Sequence, residues 1–360
     1  MTRLEQLWTA TPHGALTTSV GSLPHPVIDS ALTHSFKLSI PFLPQLPNRN
    51  AKEFMVAQAL ELLPGLEVRE KGEIVLNHAA WKKGAPALDA ELNRAFHQPP
   101  HDMEAFNFFN PSNEAYSCWA PFVWELEERQ VPLAKIQLTG PMTAQWALKL
   151  DDGSPADKDQ AVSMQIFRLA LARSLALVRL VKRIGIVPLI YLDEPGFYCF
   201  SKQSPKHVLG LQELKLSLQA LKKEGAIVGL HCCSNTDWKA VLSLSPDVLS
   251  IDTNLTMPLL LQNQKELAEF FREGGRLSLG MVPTSGGHEA IESFNPEKAF
   301  LGLIAQFKAA FQDEVLVREI AIRSIYTPAC GLALHTLQDA EQVLGYTLEL
   351  GELAEKFVLK

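Results

Sequence analysis

The chemistry-bearing residues of this chain gather around position 231. An apolar run, 226–230, is followed by His231, Cys232 and Cys233, and then by Ser-Asn-Thr-Asp. That pattern reads as a buried strand running into a helix start. Alternate side chains of a strand share a face, so His231 and Cys233 point together and Cys232 points away. A His-x-Cys pair on one face is half a zinc site, because zinc takes imidazole nitrogen and thiolate sulfur. Cys330, between Thr327-Pro328-Ala329 and Gly331, follows another strand candidate and is the third soft ligand. Two thiolates and one imidazole leave a tetrahedral ion one open position, as in catalytic zinc sites. Asp252, at the end of the strand candidate 247–252, is the oxygen ligand for that position. The opposing reading makes the adjacent cysteines small buried hydrophobes, a common fate of cysteine.

Other polar groups also close apolar runs. Asp193 and Glu194 follow 187–192 and precede Pro195. They read either as catalytic carboxylates able to hold an ammonium group, or as a helix cap paired with a cation. Ser22 sits in a Gly-Ser turn after 17–20. Trp146, downstream of Gly140-Pro141, is core or a ligand platform. His25 and Gln45 stay open in the same way, and His288 on a Gly-Gly-His loop is either a proton shuttle or a solvated side chain.

The elements that must position these groups repeat as strand then helix. Strands are expected at 17–20, 38–43, 135–139, 187–192, 226–230, 247–252, 276–282 and 320–326. Helices are expected at 28–36, 51–62, 87–96, 112–129, after the Gly140-Pro141 turn, 156–184, 205–224, from about 236, 259–273, 296–312 and from 337, with a hairpin over 66–77 turning at Lys71-Gly72. Eight such units predict an α/β fold, a (β/α)8 TIM barrel forming a single domain over 1–360, with an insertion at about 64–112. A doubly wound open sheet is the alternative, but no G-x-G-x-x-G follows the first strand. In a barrel all the strand C-terminal ends form one mouth, so Ser22, Asp193, Glu194, His231, Cys233, Asp252 and Cys330 are expected to share it.

The chain has 360 residues, 47% hydrophobic and 20% charged, with a net charge of -7 and a pI of about 5.8. An acidic balance argues against general nucleic-acid affinity. No apolar run reads as long enough to span a membrane, and residues 1–11 show no signal-peptide core. Five cysteines in a chain of this length do not make a disulfide framework. The expected setting is a reducing cytoplasm, with thiols free for metal.

Together these stretches resemble the catalytic half of cobalamin-independent methionine synthase, within the uroporphyrinogen decarboxylase/methionine synthase superfamily. The resemblance rests on Gly21-Ser22-Leu23-Pro24, Leu138-Thr139-Gly140-Pro141-Met142-Thr143, Asp193-Glu194-Pro195, His231-Cys232-Cys233, 247–252 and Pro328-Ala329-Cys330-Gly331. These come in the family's order and cover nearly the whole chain, as a short stand-alone form. The resemblance implies a zinc-dependent methyltransferase acting on a small-molecule thiol such as homocysteine. The implied donor is a methylfolate or a methylcorrinoid, free or protein-bound. It implies His231, Cys233 and Cys330 as zinc ligands, Asp252 standing where the family has Glu, and Asp193 and Glu194 as catalytic carboxylates. By the resemblance Ser22 and Asp193 fall on the substrate side and Trp146 on the methyl-donor side, and His25 is expected beside them as a substrate-binding residue. The loop 281–285 carries no His where the family has one. Two alternatives remain: a metal-free decarboxylase of the same superfamily, which would want an Arg-rich mouth, and a non-catalytic zinc-holding barrel that docks a corrinoid protein.

Overall fold

A computed structural model of the chain describes residues 15–99, 102 and 104–358. The stretch 1–11, read above as lacking a signal peptide, lies outside the described residues, as do three positions of the expected insertion. The described strands are β1 Leu16–Thr17, β2 Leu66–Val68, β3 Ile74–Leu76, β4 Leu133–Thr139, β5 Lys149–Leu150, β6 Val187–Asp193, β7 Ile227–Cys232, β8 Val248–Asp252, β9 Arg276–Val282 and β10 Ile325–Pro328.

Seven of them form one parallel sheet in the order β1-β10-β9-β8-β7-β6-β4. Helical chain connects each of these strands to the next, including Gln160–Arg183, Pro205–Glu224, Thr253–Leu260 and Pro296–Phe311, and Leu337–Val358 follows β10. β4, β7 and β8 are buried along their whole length. Parallel strands covered on both faces read as near-continuous apolar runs for that reason.

The sheet curls on itself. Its concave face has an apolar cluster of its own, distinct from the sheet–helix core. Leu16, Leu133, Leu189, Ile227, Val248 and Ile325 supply it from six of the seven strands, joined by Ile40 and Tyr191. Side chains from so many parallel strands meet only inside a strongly curved sheet. The strand ladder itself stays open between β1 and β4. Residues 40–45 run through that gap without forming a regular strand. On one side, Ile40 N donates to Thr17 O (2.9 Å) and Gln45 N to Gly21 O (3.0 Å). On the other, Lys135 N donates to Pro41 O (2.8 Å) and Leu43 N to Lys135 O (2.9 Å). Pro41 and Pro44 have no N–H to give, which limits the segment to isolated bridges.

The hairpin expected at 66–77 is present as antiparallel β2 and β3. Its small sheet takes a third strand from β5, beyond 64–112. Five local readings need correction. The helix expected at 259–273 is two helices, Thr253–Leu260 and Gln264–Arg272, joined by a 3-10 turn. The strand expected at 320–326 is the end of the helix Glu314–Arg323, followed by β10. The Asp313 carboxylate caps Leu316 N (3.0 Å), and Val317, Ile320 and Ala321 form a helical buried face. The helix expected at 51–62 is a short 3-10 turn and the helix Met55–Ala59, separated by Phe54 in an extended conformation. The helix expected at 87–96 begins at His78, capped by Asn77, with Pro86 on its exposed side. The one expected at 112–129 begins at Trp119. The membrane reading also changes. Gln160–Arg183 is long and apolar enough to cross a bilayer, but 72% of its most apolar window is buried against the rest of the fold.

Candidate metal centre

The parallel register brings the candidate residues to one end of the sheet. Asp193 on β6 pairs with His231 on β7, and His231 pairs with Ser250 on β8. Cys233 lies one residue past β7, and Cys330 two residues past β10. The strand alternation holds through this end: Cys232 turns into the sheet–helix core, 1% exposed, while Cys233 faces Cys330, with 3.9 Å between the sulfurs.

His231 Nδ1 is 2.9 Å from the Ser250 hydroxyl, which fixes the ring. Its Nε2 is buried and has no hydrogen-bond partner. The ligand atoms of His231, Cys233 and Cys330 all lie within 4.8 Å of one another. Two thiolates on a tetrahedral zinc sit about 3.8 Å apart, given Zn–S bonds near ~2.3 Å. The sulfur spacing and the orphaned nitrogen therefore fit a zinc ion held by three protein ligands.

The electrostatics prepare the same arrangement. The hydrogen bond to Cys233, and then His231, pull the Cys330 thiol well below its ordinary pKa. That same hydrogen bond, followed by burial, pushes Cys233 up. The opposite shifts make Cys330 the thiol that gives up its proton more readily, and a metal ion favours the deprotonated form of both sulfurs. Cys232 is also raised, by burial first and then by Glu194 and Asp193, as expected of a packed, inert thiol.

Asp252 stands outside the three-ligand group. Its Oδ1 accepts from Asn254 N (2.9 Å) and Leu255 N (3.2 Å), capping the helix Thr253–Leu260. Burial raises its pKa.

The adjacent carboxylates have separate environments. Asp193 is buried and its Oδ1 has no partner. Burial raises its pKa, and the Lys135 ammonium opposes the shift. Burial lowers that of Lys135, and Asp193 opposes it. Lys135 Nζ donates to Val20 O (2.6 Å) and Gln137 Oε1 (3.0 Å) and lies 4.8 Å from the Tyr191 ring centroid. Tyr191 in turn needs Gly229, since a Cβ there would fall 1.6 Å from the ring. Glu194 is fully committed. It accepts from Met142 N (3.0 Å), Thr143 N (2.6 Å) and the Thr143 hydroxyl (2.6 Å), fixing the start of the helix Pro141–Ala147. Burial lifts its pKa to about 7 against those bonds.

Ser22 adjoins the Cys330 loop: its backbone oxygen accepts from Leu332 N (2.9 Å), and a Cβ on Gly331 would come within 2.2 Å of its hydroxyl. Trp146 is half-buried and packs on His207, ring centroids 4.9 Å apart. His25 faces His34 and Glu341. Gln45 Nε2 donates to Gln58 Oε1 (2.6 Å), and His288 is paired with Asp339 (2.6 Å).

Lys135, Gln137 and Ser250 escaped the sequence reading. The signal was available for two of them. In β4 the polar residues Lys135, Gln137 and Thr139 alternate with Ala134, Ile136 and Leu138, which marks an inner polar face.

No family of known proteins matches the chain, and no curated protein matches it. Among solved structures, it is similar to a methyltransferase from Methanosarcina mazei, with 16% identity, a TM-score of 0.47, and coverage of 96% of this chain and 97% of that one. It is also similar to a protein described as an orotidine 5′-phosphate decarboxylase from Streptomyces avermitilis, with 13% identity, a TM-score of 0.31, and coverage of 66% and 95%.

Proposed function

We propose that this chain is a zinc-dependent methyltransferase that methylates a small amino-acid thiol such as homocysteine. The observation that carries the reading is the convergence of His231 Nε2, Cys233 Sγ and Cys330 Sγ at one end of the parallel strands, the first of them buried without a partner. We read the fold as a (β/α)8 barrel in which 40–45 stands in for the eighth strand, so that this end is a barrel mouth.

What an ion supplies at such a site is a substrate thiol kept as thiolate at neutral pH, its sulfur left electron-rich by two cysteinates. The chain's own residues do the rest. Ser250 orients the His231 ring through Nδ1, leaving Nε2 as the ligand atom. Asp193, with a buried unpartnered oxygen, accepts the substrate ammonium, and Lys135 opposes the burial that favours its neutral form. Glu194 acts at one remove: it locks the start of the helix that carries Trp146, the wall on the methyl-donor side. In the reaction the thiol first loses its proton, the sulfur–methyl bond then forms as the donor–methyl bond breaks, the bonding pair stays on the donor, and the proton passes to a folate nitrogen or, with a corrinoid donor, to solvent. The donor is a methylfolate or a methylcorrinoid.

The test incubates zinc-loaded protein with homocysteine and either donor, and follows the thioether by mass. Methionine should form with one donor and fall to background in Cys330→Ala. If neither donor yields product while several other thiols also stay unmethylated, the reading is wrong.

A further inference from the structure

We propose a second metal site, made by His25, His34 and Glu341, that takes a borderline divalent cation such as zinc. It stands apart from the thiol cluster and does not depend on the methyltransferase reading.

His25 lies between Pro24 and Pro26, after β1, and its side chain is only 1% exposed. Both ring nitrogens are buried without a hydrogen-bond partner. A neutral imidazole has one N–H to donate and one lone pair to fill, so leaving both unused is costly. His34, near the end of the helix Ile28–Ser35, brings a second imidazole, the ring centroids 5.1 Å apart and the planes tilted by 50°. Glu341, in the second turn of Leu337–Val358, sends one carboxylate oxygen between them. That oxygen is 3.3 Å from His34 Nε2 and 3.8 Å from His25 Nε2.

Zinc–nitrogen and zinc–oxygen bonds near ~2.1 Å put tetrahedral ligand atoms about 3.4 Å apart. Both spacings are near that value, and the three ligand atoms lie within 4.8 Å of one another. A hydrogen bond from His34 to Glu341 would account for the shorter distance but leaves His25 with nothing. A cation explains both. Glu341 is 49% exposed, which gives the ion an entry path and water for its remaining coordination. Occupancy would tie the loop after β1 and two helices to a single point. Three ligands without sulfur predict weaker, hydrated binding than at the thiols.

The experiment strips the full-length protein with a chelator and titrates it with zinc and, separately, cobalt. Calorimetry and elemental analysis count the ions. Wild type should bind about two per chain, the second more weakly. His34→Ala and Glu341→Gln, both at positions with solvent access, should each bind about one, with the cobalt–thiolate charge-transfer band unchanged. Cys330→Ala should keep the second site, whose cobalt spectrum lacks that band. A wild type whose only bound ion gives the cobalt–thiolate band, or an ion outside the thiol cluster that persists in His34→Ala, overturns the proposal.

Discussion

The two clusters of metal-capable residues differ in what carries them. His231, Cys233 and Cys330 stand at or just past the ends of β7 and β10, in a sheet whose parallel ladders fix their spacing. His25, His34 and Glu341 come from a loop and two helix surfaces near opposite ends of the chain, and two of the three have solvent access. Strand ends hold side chains in a geometry set by backbone hydrogen bonds, which suits a site that must be preorganised. Helix surfaces meet only through tertiary packing. The first cluster is therefore a centre fixed by the sheet, with His231 buried and its two thiols half-buried, and the second a clamp between helices, and the following experiments can break or sharpen that contrast.

The largest effect is expected from removing one thiol. Structural zinc in small peptides is bound by ~10–16 kcal/mol, so one ligand of four carries about 3 kcal/mol, on the order of a few hundredfold in affinity. Cys233→Ser and Cys330→Ala should each lose that much in competition with a chromophoric chelator. Unchanged affinity in either one would remove the thiol cluster from the comparison.

The next effect concerns the support beside the centre. The pKa of Glu194 is raised from 4.5 to about 7, chiefly by burial. A carboxyl raised on folding contributes its stability below the unfolded value and loses it as pH rises through the folded one. The stability of wild type relative to Glu194→Gln should therefore fall between pH 4.5 and pH 7, by at most about 3 kcal/mol. Urea melts of both proteins across that range give the measurement. A difference that grows with pH would mean that the bonds from Met142 and Thr143 outweigh burial.

A smaller loss is expected at Ser250→Ala. It leaves all three ligands and removes only the partner of His231 Nδ1, so zinc affinity should drop about tenfold to a hundredfold. No change would show that the neighbouring strands alone hold the ring.

Much of this was legible in the sequence because strands buried on both faces leave a strong signal. β6 to β9 begin and end within a residue or two of their expected positions, and the alternation through His231, Cys232 and Cys233 follows from a period of two. The stretch before β10 was not legible. Val315, Val317, Ile320 and Ile322 favour a strand by composition, and only the Asp313 cap and the buried face reveal a helix. Pro86 hid the first turns of the helix His78–His97, since an exposed proline inside a helix reads as a break. The commitment of Glu194 to Met142 and Thr143, and the meeting of His25 with Glu341, depend on tertiary contacts that no local spacing encodes.

The smallest effect on metal separates the two neighbouring cysteines. Cys232 is packed in the sheet–helix core, and burial keeps its thiol protonated. It is one residue from Cys233 yet on the other side of the strand. In Cys232→Ser a hydroxyl replaces the thiol where little can pair with it, at a cost of about 1–3 kcal/mol in stability. Zinc affinity should stay within about twofold of wild type, because side chains at adjacent strand positions face opposite ways and the ligand atoms are untouched. Melting temperature and chelator competition, measured on the same samples, give the two readouts. A stable Cys232→Ser protein that binds zinc as poorly as Cys233→Ser would mean that the backbone turns over between the two residues, and that the metal draws on the core side of β7 instead of the inner face.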